Sequence, residues 1–265
     1  MTRSISPSMA PVLERLELDR PDLVTTADLA AILDQVQVAT PARIVAARLR
    51  KSGWLLATGQ RGVWEFAPAE AAGPYSRHDP VMPLRSFLVA HPGQRVALTF
   101  QAGAWAHGLA DRLPARLEVA VPDGAVSRRL PDSLSASVFE PVLPTTEVRE
   151  VPVLPVESIL VHMAVRPTDV RSWASAVEWL ADLAAASVWD GLEAELGGRP
   201  RAVAVRAGYL LQGLRPDLAD RIQASFPARS RVWFGRRGPM LRHDSGWQVA
   251  DTLLPLDPRT MGAVV

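Results

Sequence analysis

The sequence predicts an α+β protein in two parts: a small N-terminal unit of helices closed by a β-hairpin, and a larger mixed α/β C-terminal unit. Three observations carry this. Between Thr25 and Ala67, two short amphipathic helical patterns precede two apolar strands that flank Gly59-Gln-Arg-Gly62. Residues 68–80, Pro-Ala-Glu-Ala-Ala-Gly-Pro-Tyr-Ser-Arg-His-Asp-Pro, have the composition of a linker. Beyond them, short strand-like runs give way to longer helical ones. The expected domains are residues 1–70 and 81–265, with 71–80 between them.

In the first part, Met9, Val12, Leu13 and Leu16 recur at helical spacing and predict a supporting helix over 9–18. Asp19-Arg-Pro-Asp22 breaks it, and Leu23-Val-Thr25 reads as a short extended segment. Thr26 is expected to cap the next helix, in which Leu29, Ile32, Leu33 and Val36 share one face. Gln35 to Ala39 makes the turn. Thr40-Pro41 is expected to cap a third helix, Ala42 to Ser52, with Gly53 closing its C-terminus. At about 100° per residue, Ile44, Val45 and Leu49 fall inward and Arg43, Ala46, Ala47 and Arg50 outward, with Lys51 on the flank. Arg48 falls within the apolar arc. The strands of the hairpin are Trp54 to Thr58 and Val63 to Ala67.

Helix, turn, basic helix and hairpin, in that order, describe a winged helix-turn-helix. Charge supports it. From Gln35 through Trp64 there is no Asp or Glu, whereas Arg43, Arg48, Arg50, Lys51 and Arg61 all lie there. A solvated basic face on an ordinary helix is the plainer explanation, and the hairpin directly after it, with Gln60-Arg61 at its tip, weighs against that. The candidate DNA-contacting residues are Thr40, Arg43, Ala47, Arg50, Lys51, Gln60 and Arg61. Arg43 and Arg50 would read guanine in the major groove, Thr40 would bond a backbone phosphate, and Arg61 would reach the minor groove or backbone.

Composition bounds the alternatives. The 265 residues are 48% hydrophobic with a formal net charge of +1, so any nucleic-acid affinity rests on a local patch. The chain has no cysteine, which removes disulfides, cysteine-ligated metals and thiol catalysis. Lys51 is its only lysine; the preference for arginine, with abundant Ala, Pro, Val and Leu, fits a high-GC bacterium. Met1 to Pro11 lacks the apolar core of a signal peptide and no later apolar run approaches about 18 residues, so a cytoplasmic protein without membrane contact is expected.

In the second part, Pro83 to Ala90 reads as a helix, Val96 to Phe100 as a strand, and Ala102 to Leu109 as a small-residue helix. Leu117 to Val121 and Ser137 to Val142 read as strands, with Pro122-Asp-Gly124 as a turn between them. Helices are expected over 156–165, 170–186, 189–196 and 201–214, and a β tail over 231–235 and 247–252. No catalytic constellation survives inspection. His78, His91, His107, His162 and His243 show no metal spacing; P-loop, nucleophile-elbow and dinucleotide motifs are absent. Glu118 and Asp123 hint at a metal-dependent nuclease, but no lysine accompanies them. Trp173 and Trp179 read as packing residues. Arg128-Arg129 and Arg236-Arg237 read as solvated turn residues that could hold phosphates if this part also touched nucleic acid. The sequence points to no enzyme, cofactor or metal.

The chain resembles the AbiEi family of antitoxins of type IV toxin–antitoxin pairs, in its actinobacterial form with an N-terminal winged helix. The resemblance rests on Leu49-Arg-Lys-Ser-Gly-Trp-Leu55, Gly62-Val-Trp-Glu-Phe66, Pro83-Leu-Arg-Ser86, Ala104-Trp-Ala-His-Gly-Leu109 and above all Arg206-Ala-Gly-Tyr-Leu-Leu211. It implies a repressor that binds inverted repeats in double-stranded DNA of its own promoter and counteracts a nucleotidyltransferase-like toxin. It leaves open whether toxin and antitoxin touch. The motif around Gly208 and Tyr209 is expected to be structural. A winged-helix regulator with a ligand-sensing C-terminal domain and no toxin is the alternative reading.

Overall fold

The computed structural model describes residues 7–71 and 79–263; most of the expected linker, with His78, lies outside the described residues. The architecture is mixed α/β with several sheets. The chain divides into two units, Met1–Gln94 and Arg95–Val265.

In the first unit a 3₁₀ turn, Pro7–Met9, leads into α1 (Ala10–Asp19), which buries Val12, Leu13 and Leu16. Strand β1 (Leu23–Thr25) follows, then α2 (Thr26–Gln35). The cap of α2 is Thr25, one residue before the expected Thr26. Its hydroxyl accepts from Asp28 N at 3.1 Å while the Asp28 carboxylate accepts from Thr25 N at 2.8 Å, a reciprocal capping box. Thr26 instead donates to Gly62 O through its backbone N at 3.0 Å and its hydroxyl at 3.4 Å, tying the helix to the hairpin. The turn after α2 closes with Val38 N to Leu33 O at 2.9 Å and Gln37 N to Asp34 O at 3.2 Å. This is a Schellman motif with Gln37, at φ 55°, in the left-handed position usually held by glycine.

Next comes α3 (Ala42–Lys51), whose N-cap is Pro41. Thr40 therefore lies one residue outside the expected cap position, and no side chain caps this helix. At its other end Gly53, at φ 76°, sits in a second Schellman turn, with Trp54 N bonded to Leu49 O at 2.9 Å. Strands β2 (Leu55–Ala57) and β3 (Val63–Phe66) pair antiparallel with Leu55 opposite Phe66. With β1 antiparallel on the far side of β3, the sheet order is β1-β3-β2. One apolar cluster, including Leu16, Val24, Leu29, Leu33, Val45, Leu49, Leu55 and Phe66, holds these elements together.

The first unit runs past residue 70. After a 3₁₀ turn, Ala69–Ala71, and the interval outside the described residues, α4 (Met82–Ala90) belongs to it. Arg85 supplies the physical reason: its guanidinium pairs with Asp22 at 3.1 Å and Asp79 at 2.9 Å, while Leu84 and Phe87 are fully buried.

The second unit opens with β4 (Ala97–Leu98), α5 (Phe100–Ala106), β5 (Leu117–Val121), α6 (Gly124–Ser127) and β6 (Leu134–Val138). Hairpin β7 (Thr146–Val148) and β8 (Val151–Val153) completes a five-stranded sheet of order β6-β5-β4-β8-β7. The strand expected at 137–142 lies instead at 134–138 and runs parallel to β5. Asp123 explains this: its carboxylate accepts from Ala125 N at 2.7 Å and Val126 N at 3.2 Å, so the expected turn becomes the start of a crossover helix. Helices α7 (Val156–Val165), α8 (Trp173–Ala186), α9 (Trp189–Gly197), α10 (Arg201–Leu211) and α11 (Pro216–Ser225) follow. Three short strands, β9 (Val232–Phe234), β10 (Arg242–Asp244) and β11 (Val249–Asp251), form a sheet of order β10-β11-β9. A 3₁₀ segment, Pro258–Ala263, ends the described chain. The core is built mainly from α7, α8 and α10, with Phe234, Trp247 and Val249 against them.

Candidate nucleic-acid interface

Helix α3 presents its basic residues to solvent, but it is rotated from the sequence expectation. Val45, Ala46 and Leu49 form the buried stripe, whereas Arg43, Ile44, Ala47, Arg48, Arg50 and Lys51 are exposed. Ala46, expected outward, is 2% exposed, and Ile44, expected inward, is 39% exposed. The small Ala46 joins Leu29 and Leu33 of α2 in one cluster; a methyl group lets neighbouring helices approach closely, and that approach fixes the rotation. Arg48, expected within the apolar arc, therefore joins the exposed face.

None of Arg43, Arg48, Arg50, Lys51 or Arg61 forms an ion pair among the described residues. Arg48, Arg50 and Lys51 occupy the last turn of α3, where positive charge also favours the helix dipole. Beside them lies an open groove lined by Ala47, Arg50 and Lys51 and by Leu55–Ala57 of β2. The hairpin tip is built by Gly59 and Gly62, at φ 84° and 78°. Thr58 stiffens it: its hydroxyl donates to Val63 O at 2.9 Å and accepts from Gln60 N at 3.3 Å. Arg61 projects exposed at this tip and Gln60 is half-buried. The fold thus assembles Arg43, Ala47, Arg50 and Lys51 on one face, adds Ile44 and Arg48, and places Gln60 and Arg61 on the adjoining hairpin.

Residues 96–213 match the family model described as the AbiEi antitoxin C-terminal domain. Over those residues the chain is similar to an AbiEi antitoxin C-terminal domain. That match supports the role of an antitoxin in a toxin–antitoxin pair. Among solved structures, the chain is similar to the RV2827C protein from Mycobacterium tuberculosis, with 27% identity and a TM-score of 0.79, over 100% of this chain and 97% of that one. No curated protein matches. Among the described residues, no helix is long and apolar enough to cross a membrane.

Within the matched residues, the side chains that could carry chemistry are engaged in the fold. The Glu118 carboxylate accepts from Gln101 N at 2.8 Å and Ala102 N at 3.3 Å, at the start of α5. Burial pushes its pKa up to about 6 despite these two bonds. His162 is buried between the rings of Phe100 and Phe139, each 4.3 Å away. Its Nδ1 lies 2.8 Å from the Thr99 hydroxyl and its Nε2 2.9 Å from the Ser137 hydroxyl. Ser137 donates to Asp169 at 2.6 Å, so Nε2 carries the proton that Ser137 accepts, and Nδ1 accepts from Thr99. Desolvation, reinforced by Arg199 and Arg166, holds the His162 pKa well below its ordinary value. The result is a directed polar chain, with a neutral imidazole at its centre, that crosslinks α7 to the sheet. His107 Nε2 meets Leu154 O at 2.8 Å.

The Arg206-Ala-Gly-Tyr-Leu-Leu211 motif is a fastening on α10. Arg206 donates to Trp233 O at 2.7 Å and Ala164 O at 3.2 Å. Tyr209 donates to Asp251 at 3.0 Å, and that fully buried carboxylate also accepts from Arg242, Leu253 N and Leu254 N. A Cβ on Gly208 would lie 2.1 Å from the Trp247 ring. Glu195, also fully buried, accepts from Ser158, Arg199, Val142 N and Leu143 N. No sequence signal marked Glu195 or Asp251, because a buried acid is defined by partners distant in the chain. Arg128 and Arg129 lie exposed at the end of α6 and Arg236 and Arg237 in the loop after β9.

Proposed function

We propose that this chain is a DNA-binding antitoxin that represses its own toxin–antitoxin operon by binding upstream inverted repeats and counteracts a nucleotidyltransferase-like toxin. The observation that carries the DNA reading is the exposed face of α3, on which Arg43, Arg48, Arg50 and Lys51 stand without an acidic partner among the described residues. Beside a rigid hairpin, that face has the shape and charge of a helix seated in a major groove with a wing on the flanking backbone. Arg43 and Arg50 are the guanine readers and Lys51 and Arg61 the phosphate contacts; Ala47 keeps the helix close to the groove floor, while Gln60 and Thr40 hold its edges. The match to the AbiEi domain supports the antitoxin half of the reading, and we read the whole chain as a regulator rather than an enzyme, acting in the cytoplasm.

Fluorescence anisotropy on a duplex covering the region upstream of the gene tests this, with wild type and an Arg43/Arg50/Lys51→Ala variant across a salt series. Tight, sequence-selective binding by wild type is expected. In the variant, each lost phosphate contact flattens the log–log salt slope by ~0.9. Equal, weak binding of both proteins to this and to random DNA overturns the proposal.

A further inference from the structure

We propose that Ile44 is a specificity residue that reads the 5-methyl group of thymine in the major groove; this rests on the DNA-binding reading of α3. At about 100° per residue, the exposed side chains of α3 sweep an arc of roughly 160° from Arg50 to Arg48, and Ile44 falls inside it, beside Lys51. Its 39% exposure contrasts with the adjacent Val45, fully buried, and with Leu49 at 2%. Isolated exposed apolar residues are common on protein surfaces and need no explanation by themselves. This one is set among cations, one turn before Ala47 and Arg48, in a stretch of chain without a carboxylate.

The chemistry of the groove floor assigns its occupant. Guanine edges and phosphates answer to the arginines and lysine around Ile44, whereas the one apolar feature a base pair offers in the major groove is the thymine methyl. Ile44 cannot bond a phosphate or a base heteroatom, so its only favourable contact there is with that methyl. The short side chain of Ala47 leaves room for the helix to come near enough. A protein partner on the same face would have to neutralise the surrounding cations with its own acids, which duplex DNA does through its backbone.

The test uses the full chain and the upstream duplex in two forms, one with thymine and one with deoxyuridine throughout. Wild type is expected to bind the thymine form about fourfold more tightly for each thymine read, the worth of one buried methyl group. Ile44→Ala is expected to bind both forms alike and to keep the wild-type salt slope, because no charge is lost; Ile44→Val should fall between. Circular dichroism confirms that the variants fold. Equal wild-type binding to both forms, still tight, selective and salt-dependent, overturns the role of Ile44 and leaves the DNA reading standing. A thymine preference that survives in Ile44→Ala overturns it too. Loss of selective binding to either form by wild type overturns the DNA reading itself, and the inference with it.

Discussion

Gly208→Ala sets local helix propensity against packing, and the structure decides the sign. Gly208 sits within α10, where alanine is favoured by about 1 kcal/mol over glycine in an exposed helix. A Cβ at this position would stand 2.1 Å from Cη2 and 2.4 Å from Cζ3 of Trp247, far inside the ~3.5–4.0 Å of a good carbon contact. The indole cannot step aside freely. It is 5% exposed within the main cluster, and its backbone N is bonded to Asp244 at 3.0 Å. Overpacking of a tight core costs about 1–3 kcal/mol or more. A clash this deep belongs at the upper end, near 3, and subtracting the propensity gain leaves a net destabilisation of about 2 kcal/mol. Urea denaturation of the full chain, followed by circular dichroism, measures it. In a Trp247→Leu background the penalty should shrink or reverse, because the cavity then accepts the methyl. A Gly208→Ala variant more stable than wild type by about 1 kcal/mol would refute the argument and reduce the glycine to an accident of sequence.

Glu118 is raised from 4.5 to about 6 by burial. The folded state thus holds its proton more tightly than the unfolded, and the contribution of this group is full below pH 4.5 and lost as pH rises through 6. Glu118→Gln should flatten that part of the stability profile and raise stability at neutral pH by up to about 2 kcal/mol; an unchanged profile from denaturation at pH 4.5–8 would contradict it. His162 works in the opposite sense: its depressed pKa gives stability that is present above 6.5 and lost as pH falls toward the folded value. Nitrogen NMR should find it neutral and protonated on Nε2 at pH 6, and titration near its ordinary value would exclude the polar chain described. Asp251→Asn leaves Arg242 and Tyr209 without their buried acceptor and should cost about 3 kcal/mol in urea denaturation; a loss below 1 would mean the carboxylate is dispensable. Gln37→Gly relieves a left-handed residue and should stabilise by about 0.5–1 kcal/mol, whereas Gln37→Val should destabilise; the reverse order in thermal melts would exclude strain at this turn.

The local elements were legible in one dimension. Period-3.6 apolar spacing placed α1, α2, α3 and α7 within a residue or two, and glycines at 59 and 62 marked the hairpin tip, because these signals depend on neighbours in the chain. The run without acids from Gln35 to Trp64 made the basic face legible from charge pattern alone. Packing between elements resolves what local pattern leaves degenerate. It rotated α3 so that Ala46 went in and Ile44 and Arg48 came out, since apolarity cannot tell which apolar residue a neighbouring helix has room for. It also set β6 parallel to β5, since Asp123 serves a turn or a helix cap equally well until the chain beyond it finds its place. Likewise Glu195 and Asp251 are ordinary acids in one dimension; only folding brings to them the backbone amides, hydroxyl groups and arginines that make burying their charge tolerable.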